Sequence, residues 1–238
     1  MAADRPGRTG PTLTVIVPCA GAARRFDAPY PKELHRIDHD QSIIDHALAP
    51  VRDFAARRGA RVRLVVVIRP HKTDTVAYLA RYADVLETVF VHQTDRHGPD
   101  LAGAVTAALP LCAGATAVVL PDQVVTDDAL AQRFAEAHDL LERHPYAVLA
   151  ALIDDPVRLA NDGALRLRGQ GPVRRVEHAA DKPRDPSGFN AAWATVFAAA
   201  HHRDALPRIM VGAGATALVD APAVLVDGFH NVNRVDDL

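Results

Sequence analysis

The residues best suited to chemistry gather in a few short stretches. Pro18-Cys19-Ala20-Gly21-Ala22-Ala23-Arg24-Arg25-Phe26 is followed, after a short gap, by Pro31-Lys32-Glu33-Leu34. Small side chains let backbone N–H groups approach a phosphate closely, and Arg25 and Lys32 add fixed positive charge beside them. Nucleotidyl transfer needs little more, because charge builds on the α-phosphate during in-line attack and clamping cations carry most of the catalysis. Further along stand Leu120-Pro121-Asp122, a carboxylate after an apolar run, and the polar segment Asp227–Asn233. The first stretch is neither a Walker loop, which needs Gly-Lys-Ser/Thr, nor a dinucleotide Gly-x-Gly-x-x-Gly. Taken alone, a Gly/Ala/Arg turn reads as a solvated turn.

What positions these residues is a β-α-β-α alternation. Leu13–Val17 is a β-branched strand, and Ser42–Arg58 carries apolar residues at helical spacing behind an N-cap serine. Leu64–Ile68 is a continuous apolar strand, Thr73–Ala83 a helix, Thr88–Val91 a short strand and Asp100–Leu109 a helix. Ala117–Leu120, Asp127–Arg143, Ala147–Ile153 and Ala223–Val226 continue as strand, helix, strand and strand. The pattern predicts an α/β fold with a doubly wound, mostly parallel sheet. From about residue 154 to 190 the rhythm breaks into short segments punctuated by glycine and proline, which predicts a small antiparallel region laid over the sheet. In such sheets ligands bind beyond the carboxyl ends of the strands, where residues 18–33, 121–122 and 227–233 all fall.

The chain has 238 residues, 49% of them hydrophobic, enough for one domain over its whole length with a flexible N-terminus at 1–12. Twenty-seven basic against 29 acidic residues, without long blocks of either sign, exclude the basic stripe that nucleic acid or an anionic membrane requires. Two widely spaced cysteines form no metal pattern and fit a reducing cytoplasm. The polar start is unlike a signal peptide, and no apolar run nears the ~18 residues that cross a bilayer. Assembly into a homo-oligomer stays open.

The loop, its arginine and Pro31-Lys32 resemble the signature loop of nucleotidyltransferases that activate sugar 1-phosphates and related phosphates, roughly Ala-Gly-x-Gly-Thr-Arg followed by Pro-Lys. Ala23 and Arg24 depart from that pattern, and the short gap before Lys32 is closer to the cytidylyltransferase branch. The resemblance implies the nucleotide-diphospho-sugar transferase fold, with a nucleoside triphosphate docked on Ala20, Gly21 and Ala22. It implies that Gln93 and Gly98, within Val91-His92-Gln93 and five positions further on, read a pyrimidine base. It implies a Mg2+ cofactor at Asp122 with Asn231, or with Asp227 as a substitute. Asp162-Gly163 and Asp181-Lys182-Pro183 resemble the acceptor half of the sugar branch, so Gly163, Asp181 and Lys182 are expected to hold the phosphorylated small-molecule acceptor. Arg25 and Lys32 are then the catalytic cations. Two other readings stay open: a cytidylyltransferase for a non-sugar phosphate or phosphonate, and an inactive relative that only binds nucleotide or a partner.

Overall fold

The continuous apolar runs become the interior strands of one sheet. In the computed structural model, which describes residues 10–21, 26 and 28–232, four strands pair in parallel in the order β3-β2-β1-β4. They are β1 (Leu13–Pro18), β2 (Val62–Ile68), β3 (Glu87–His92) and β4 (Ala115–Val119). Val15, Ile16 and Val17 in β1, like Leu64 to Val67 in β2, are fully buried, as strands covered on both faces must be. Alternate residues serve opposite faces. Val15, Val17, Leu64 and Val66 pack with α1 (Ile43–Arg58). Ile16, Val65 and Val67 pack with the helix Leu101–Ala108.

Local chemistry sets where these helices begin. Ser42 and Asp45 form a reciprocal capping box at the start of α1, and Gly59 ends the helix in the left-handed region at φ +56°. Buried Asp45 also accepts the hydroxyls of Tyr78 and Tyr82, which joins α1 to α2 (Thr73–Leu79) and its following turn. The helix Leu101–Ala108 is α3; Asp100 caps it by accepting from the Gly103 N–H at 2.8 Å. β5 (Gln123–Val125) then leaves the sheet, and α4 (Leu130–Asp139) covers the α1 face.

The second half differs from the sequence expectation in one respect. β6 (Tyr146–Leu152), β7 (Gly163–Arg168), β8 (Val173–Asp181), β9 (Ala191–Ala198) and β10 (Pro222–Leu225) continue the same sheet, so the antiparallel β7–β8 pair is hydrogen-bonded into it and curls back onto β9. A short helix, α5 (Pro156–Leu159), links β6 to β7. The full order is β3-β2-β1-β4-β9-β6-β10-β8-β7, with a further pairing from β7 back to β9. β9 runs antiparallel between β4 and β6 and is buried along its whole length. The last strand, β11 (Phe229–Asn231), pairs antiparallel with β5 outside the main sheet.

Candidate active site

The carboxyl ends of β1, β2, β3 and β4 open into a cleft of about 360 Å³. Along one wall lie Cys19, Ala20 and Gly21 after β1, Lys72 after β2, and Gln93 with residues 99–101 after β3. Gln93 is buried, and its side-chain amide donates to the carbonyls of Gly98 at 2.7 Å and Asp100 at 2.9 Å. Both partners can only accept, so the NH2 group must face them and the amide oxygen is left to accept from a ligand. Gly98 sits at φ +82°, a backbone state that a side chain would strain, and this lets the loop turn back over Gln93.

Beneath this wall is a group that sequence reading did not single out. Lys72 and Glu33, 3% exposed each, are paired through both carboxylate oxygens at 3.0 Å, and Thr75 donates to Glu33 at 2.7 Å. The only signal was position: Lys72 follows β2 at a strand's carboxyl end, and Glu33 adjoins Lys32. Anchoring Glu33 in this way fixes the backbone that carries Lys32. Burial first, then the nearby Glu33 charge, pushes the Cys19 thiol well above its ordinary range, so it stays protonated and unreactive at neutral pH.

The centre of the cleft is a three-way junction. The Lys32 ammonium donates to Asp122 Oδ2 at 2.7 Å and to the Val232 carbonyl at 2.8 Å, and the Val232 N–H donates to the Asp122 carbonyl at 2.9 Å. Residues 32, 122 and 232 are therefore held as one unit across three distant parts of the chain. Asn231, on β11 opposite Gln123, donates from its side-chain nitrogen to Asp162 Oδ1 at 2.7 Å, while its side-chain oxygen is buried without a partner. Burial raises the Asp162 carboxyl above its usual range, against the opposing pull of the Asn231 bond and the Arg158 charge. Asp122 and the unpartnered Asn231 oxygen are the oxygen donors that could hold a cation here. Among the described residues no group of three His, Cys, Asp or Glu forms a metal cluster.

On the remaining side the cleft is lined by Lys182, directly after β8, with the ends of β7 and β8 behind it. Gly163 pairs with Asp181 across the two strands, and a Cβ at Gly163 would lie 1.7 Å from the Trp193 indole nitrogen, so only glycine fits. Desolvation raises the Asp181 carboxyl. Lys182 lines the cleft, its N–H donates to the Asp162 carbonyl at 3.0 Å, and its φ of +48° is a left-handed state that few non-glycine residues adopt.

Of the residues expected from sequence, Ala20, Gly21, Lys32, Gln93, Asp122 and Lys182 line this one cleft, while Gly98, Asn231 and Gly163 lie directly behind its walls. Asp227 is not brought in. It is exposed in the bend before β11, its N–H bound to Asp127, and it does not line the cleft. Ala22 and Arg25, with Ala23 and Arg24, lie outside the described residues.

No protein-family model matches the chain. It is 32% identical over 169 residues to the bifunctional protein GlmU of Cereibacter sphaeroides, a match over 70% of this chain and 34% of GlmU. The chain thus spans about a third of the length of that curated relative. Among solved structures, a UDP-glucose pyrophosphorylase complexed with UDP-glucose superposes with a TM-score of 0.72 at 16% identity, covering 94% of each chain. A UTP-bound UGPase from Acinetobacter baumannii superposes with a TM-score of 0.70 at 14% identity, covering 94% of this chain and 90% of the other. The fold is that of the nucleotide-diphospho-sugar transferases. In sequence and in fold the chain is similar to sugar-phosphate nucleotidyltransferases. Among the described residues no helix is long and apolar enough to cross a membrane.

Proposed function

We propose that this chain transfers a nucleotidyl group from a pyrimidine nucleoside triphosphate to a sugar 1-phosphate and releases pyrophosphate. The observation that carries the reading is the junction of Lys32, Asp122 and Val232 at the mouth of the strands, beside the buried Gln93. Triphosphate lies along Ala20 and Gly21, with Ala22 and Arg25 of the same loop assigned to it by the sequence motif. The base meets the Gln93 side-chain oxygen, which accepts from the ring N3–H of uracil or thymine or from the amine of cytosine. An oxygen of the acceptor phosphate attacks the α-phosphorus, and the bond from that phosphorus to the bridging oxygen of the leaving pyrophosphate breaks. Arg25 and Lys32 meet the charge that moves onto pyrophosphate. No protein base is needed, because the attacking phosphate is already an anion.

The acceptor is assigned to Gly163, Asp181 and Lys182. A Mg2+ ion suits the donors present, Asp122 and the unpartnered Asn231 oxygen, because magnesium is commonly held by one or two protein oxygens together with substrate phosphates. When bound it would supply charge neutralisation across the phosphates. The names of the superposed proteins support a uridine nucleotide and a sugar acceptor.

The test is a pyrophosphate-release screen of UTP, dTTP, CTP and ATP against glucose 1-phosphate, N-acetylglucosamine 1-phosphate and a polyol phosphate. Release from a pyrimidine triphosphate with a sugar 1-phosphate is the expected result. Release only from CTP with the polyol phosphate would replace the acceptor. No release with any pair would remove the catalytic reading.

A further inference from the structure

We infer that Asp162 is a positioning residue that sets the side-chain amide of Asn231 so that its oxygen, and not its nitrogen, faces an incoming cation; this rests on the metal reading above. An asparagine amide offers an acceptor at one end and two donors at the other, so which end meets a cation decides between attraction and repulsion. Nothing in Asn231 itself chooses. Asp162 does: its carboxylate, 7% exposed as a residue, accepts from Asn231 Nδ2 at 2.7 Å. A carboxylate cannot donate, so the opposite orientation would set two acceptors against each other in a buried place. The oxygen is consequently turned away from Asp162, buried and without a partner. It belongs to the strand that pairs with β5 one residue after Asp122, and the next residue bonds the Asp122 backbone directly.

Asp162 is itself held. Its carbonyl accepts from the Lys182 N–H, and the Arg158 charge lies near its carboxylate while Arg158 donates to the Phe229 carbonyl at 2.6 Å. β7 and β11 are thereby tied at the same point from two sides. A buried amide oxygen without a partner is costly in a finished fold, and a cation supplies what it lacks.

The experiment measures Mn2+ binding to the full chain by calorimetry and by the loss of the free Mn2+ signal in electron paramagnetic resonance. In Asp162→Asn the new amide can donate to the Asn231 oxygen and turn it, so Mn2+ affinity should fall roughly tenfold or more, the scale of lost support behind a metal ligand. A carboxylate at 231 has no wrong end. Asn231→Asp placed in the Asp162→Asn background should therefore restore Mn2+ binding, a rescue that a merely structural role would not produce. Asn231→Asp alone should not tighten binding, because it sets two carboxylates at hydrogen-bond separation. Melting of each variant is followed alongside, and Asp162→Ser replaces Asp162→Asn if the latter melts early. Unchanged Mn2+ binding in a folded Asp162→Asn, or failure of the double variant to recover, would overturn the inference. Asp122→Asn separates the two ideas. If it binds Mn2+ as the wild type does, the metal reading falls and the inference with it; if it loses Mn2+ while Asp162→Asn keeps it, only the inference falls.

Discussion

On the wall built by β1, β2 and β3, the polar side chains already have partners: Gln93 with two carbonyls, Glu33 with Lys72 and Thr75. Around Lys182 and the ends of β7, β8 and β11 behind it, the polar groups are held but not finished. The Asn231 oxygen has no partner, Asp162 and Asp181 are desolvated, and Lys182 stands exposed on a strained backbone. The first wall is braced by partners of its own and leaves the Gln93 side-chain oxygen open; the second leaves the Asn231 oxygen open and adds desolvated carboxylates and an exposed cation. A substrate with a common part and a variable part would use them in that way, the triphosphate meeting the rigid wall and the acceptor the unfinished one.

The largest effect should come from Lys72→Met, which leaves Glu33 buried and unpaired at a cost of about 3–5 kcal/mol. Urea unfolding measures it, and Lys72→Met with Glu33→Gln should recover much of the loss. A single variant within roughly 1 kcal/mol of the wild type would mean the wall does not depend on that pair. Next is Lys32→Ala, expected to lower the maximal rate of pyrophosphate release ~100-fold, as for a lost donor at a developing charge. A change confined to the nucleotide Michaelis constant would place Lys32 in ground-state binding only.

Gln93→Ala removes two hydrogen bonds that shape the 98–100 loop as well as the acceptor offered to the base. Calorimetry with UTP, dTTP, CTP and ATP should show a loss of roughly 1–3 kcal/mol for the cognate triphosphate and a narrower gap to ATP. Equal losses for all four would assign Gln93 to loop shape and not to base choice. The smallest effect belongs to Lys182→Ala. An exposed cation facing an already charged phosphate contributes about 1 kcal/mol, so the acceptor Michaelis constant should rise up to ~5-fold with little change in maximal rate. A silent variant would detach Lys182 from the acceptor and leave only its backbone contact to Asp162.

The parallel half was legible because its strands are β-branched runs and its helices keep a 3.6-residue apolar period, as in Leu64–Ile68 and Ile43–Phe54. β9 escaped because its strand formers Trp193, Thr195, Val196 and Phe197 are interspersed with four alanines that suit a helix as well; burial between β4 and β6 makes it a strand. Lys32, Gln93, Asp122 and Lys182 were readable because each stands in a recognisable motif at a strand end or loop. Lys72 was not, since a lone lysine before a helix has no signature until Glu33 is found beneath it. The bond between Asn231 and Asp162 joins residues 69 positions apart, and local pattern carries no trace of it.

β9 also imposes an order of events on the ribosome. β4 ends at residue 119 and β6 at residue 152, yet the strand that lies between them is complete only at residue 198. During synthesis at 5–20 residues per second, the flank of β4 therefore waits for roughly 4–16 s with its backbone donors and acceptors bare. An uncovered, apolar strand flank is a template for wrong partners, including the same flank on a neighbouring nascent chain. The interval from β4 to β9 is thus a stretch of translation in which this protein is exposed to misassembly, and a pause there should be damaging.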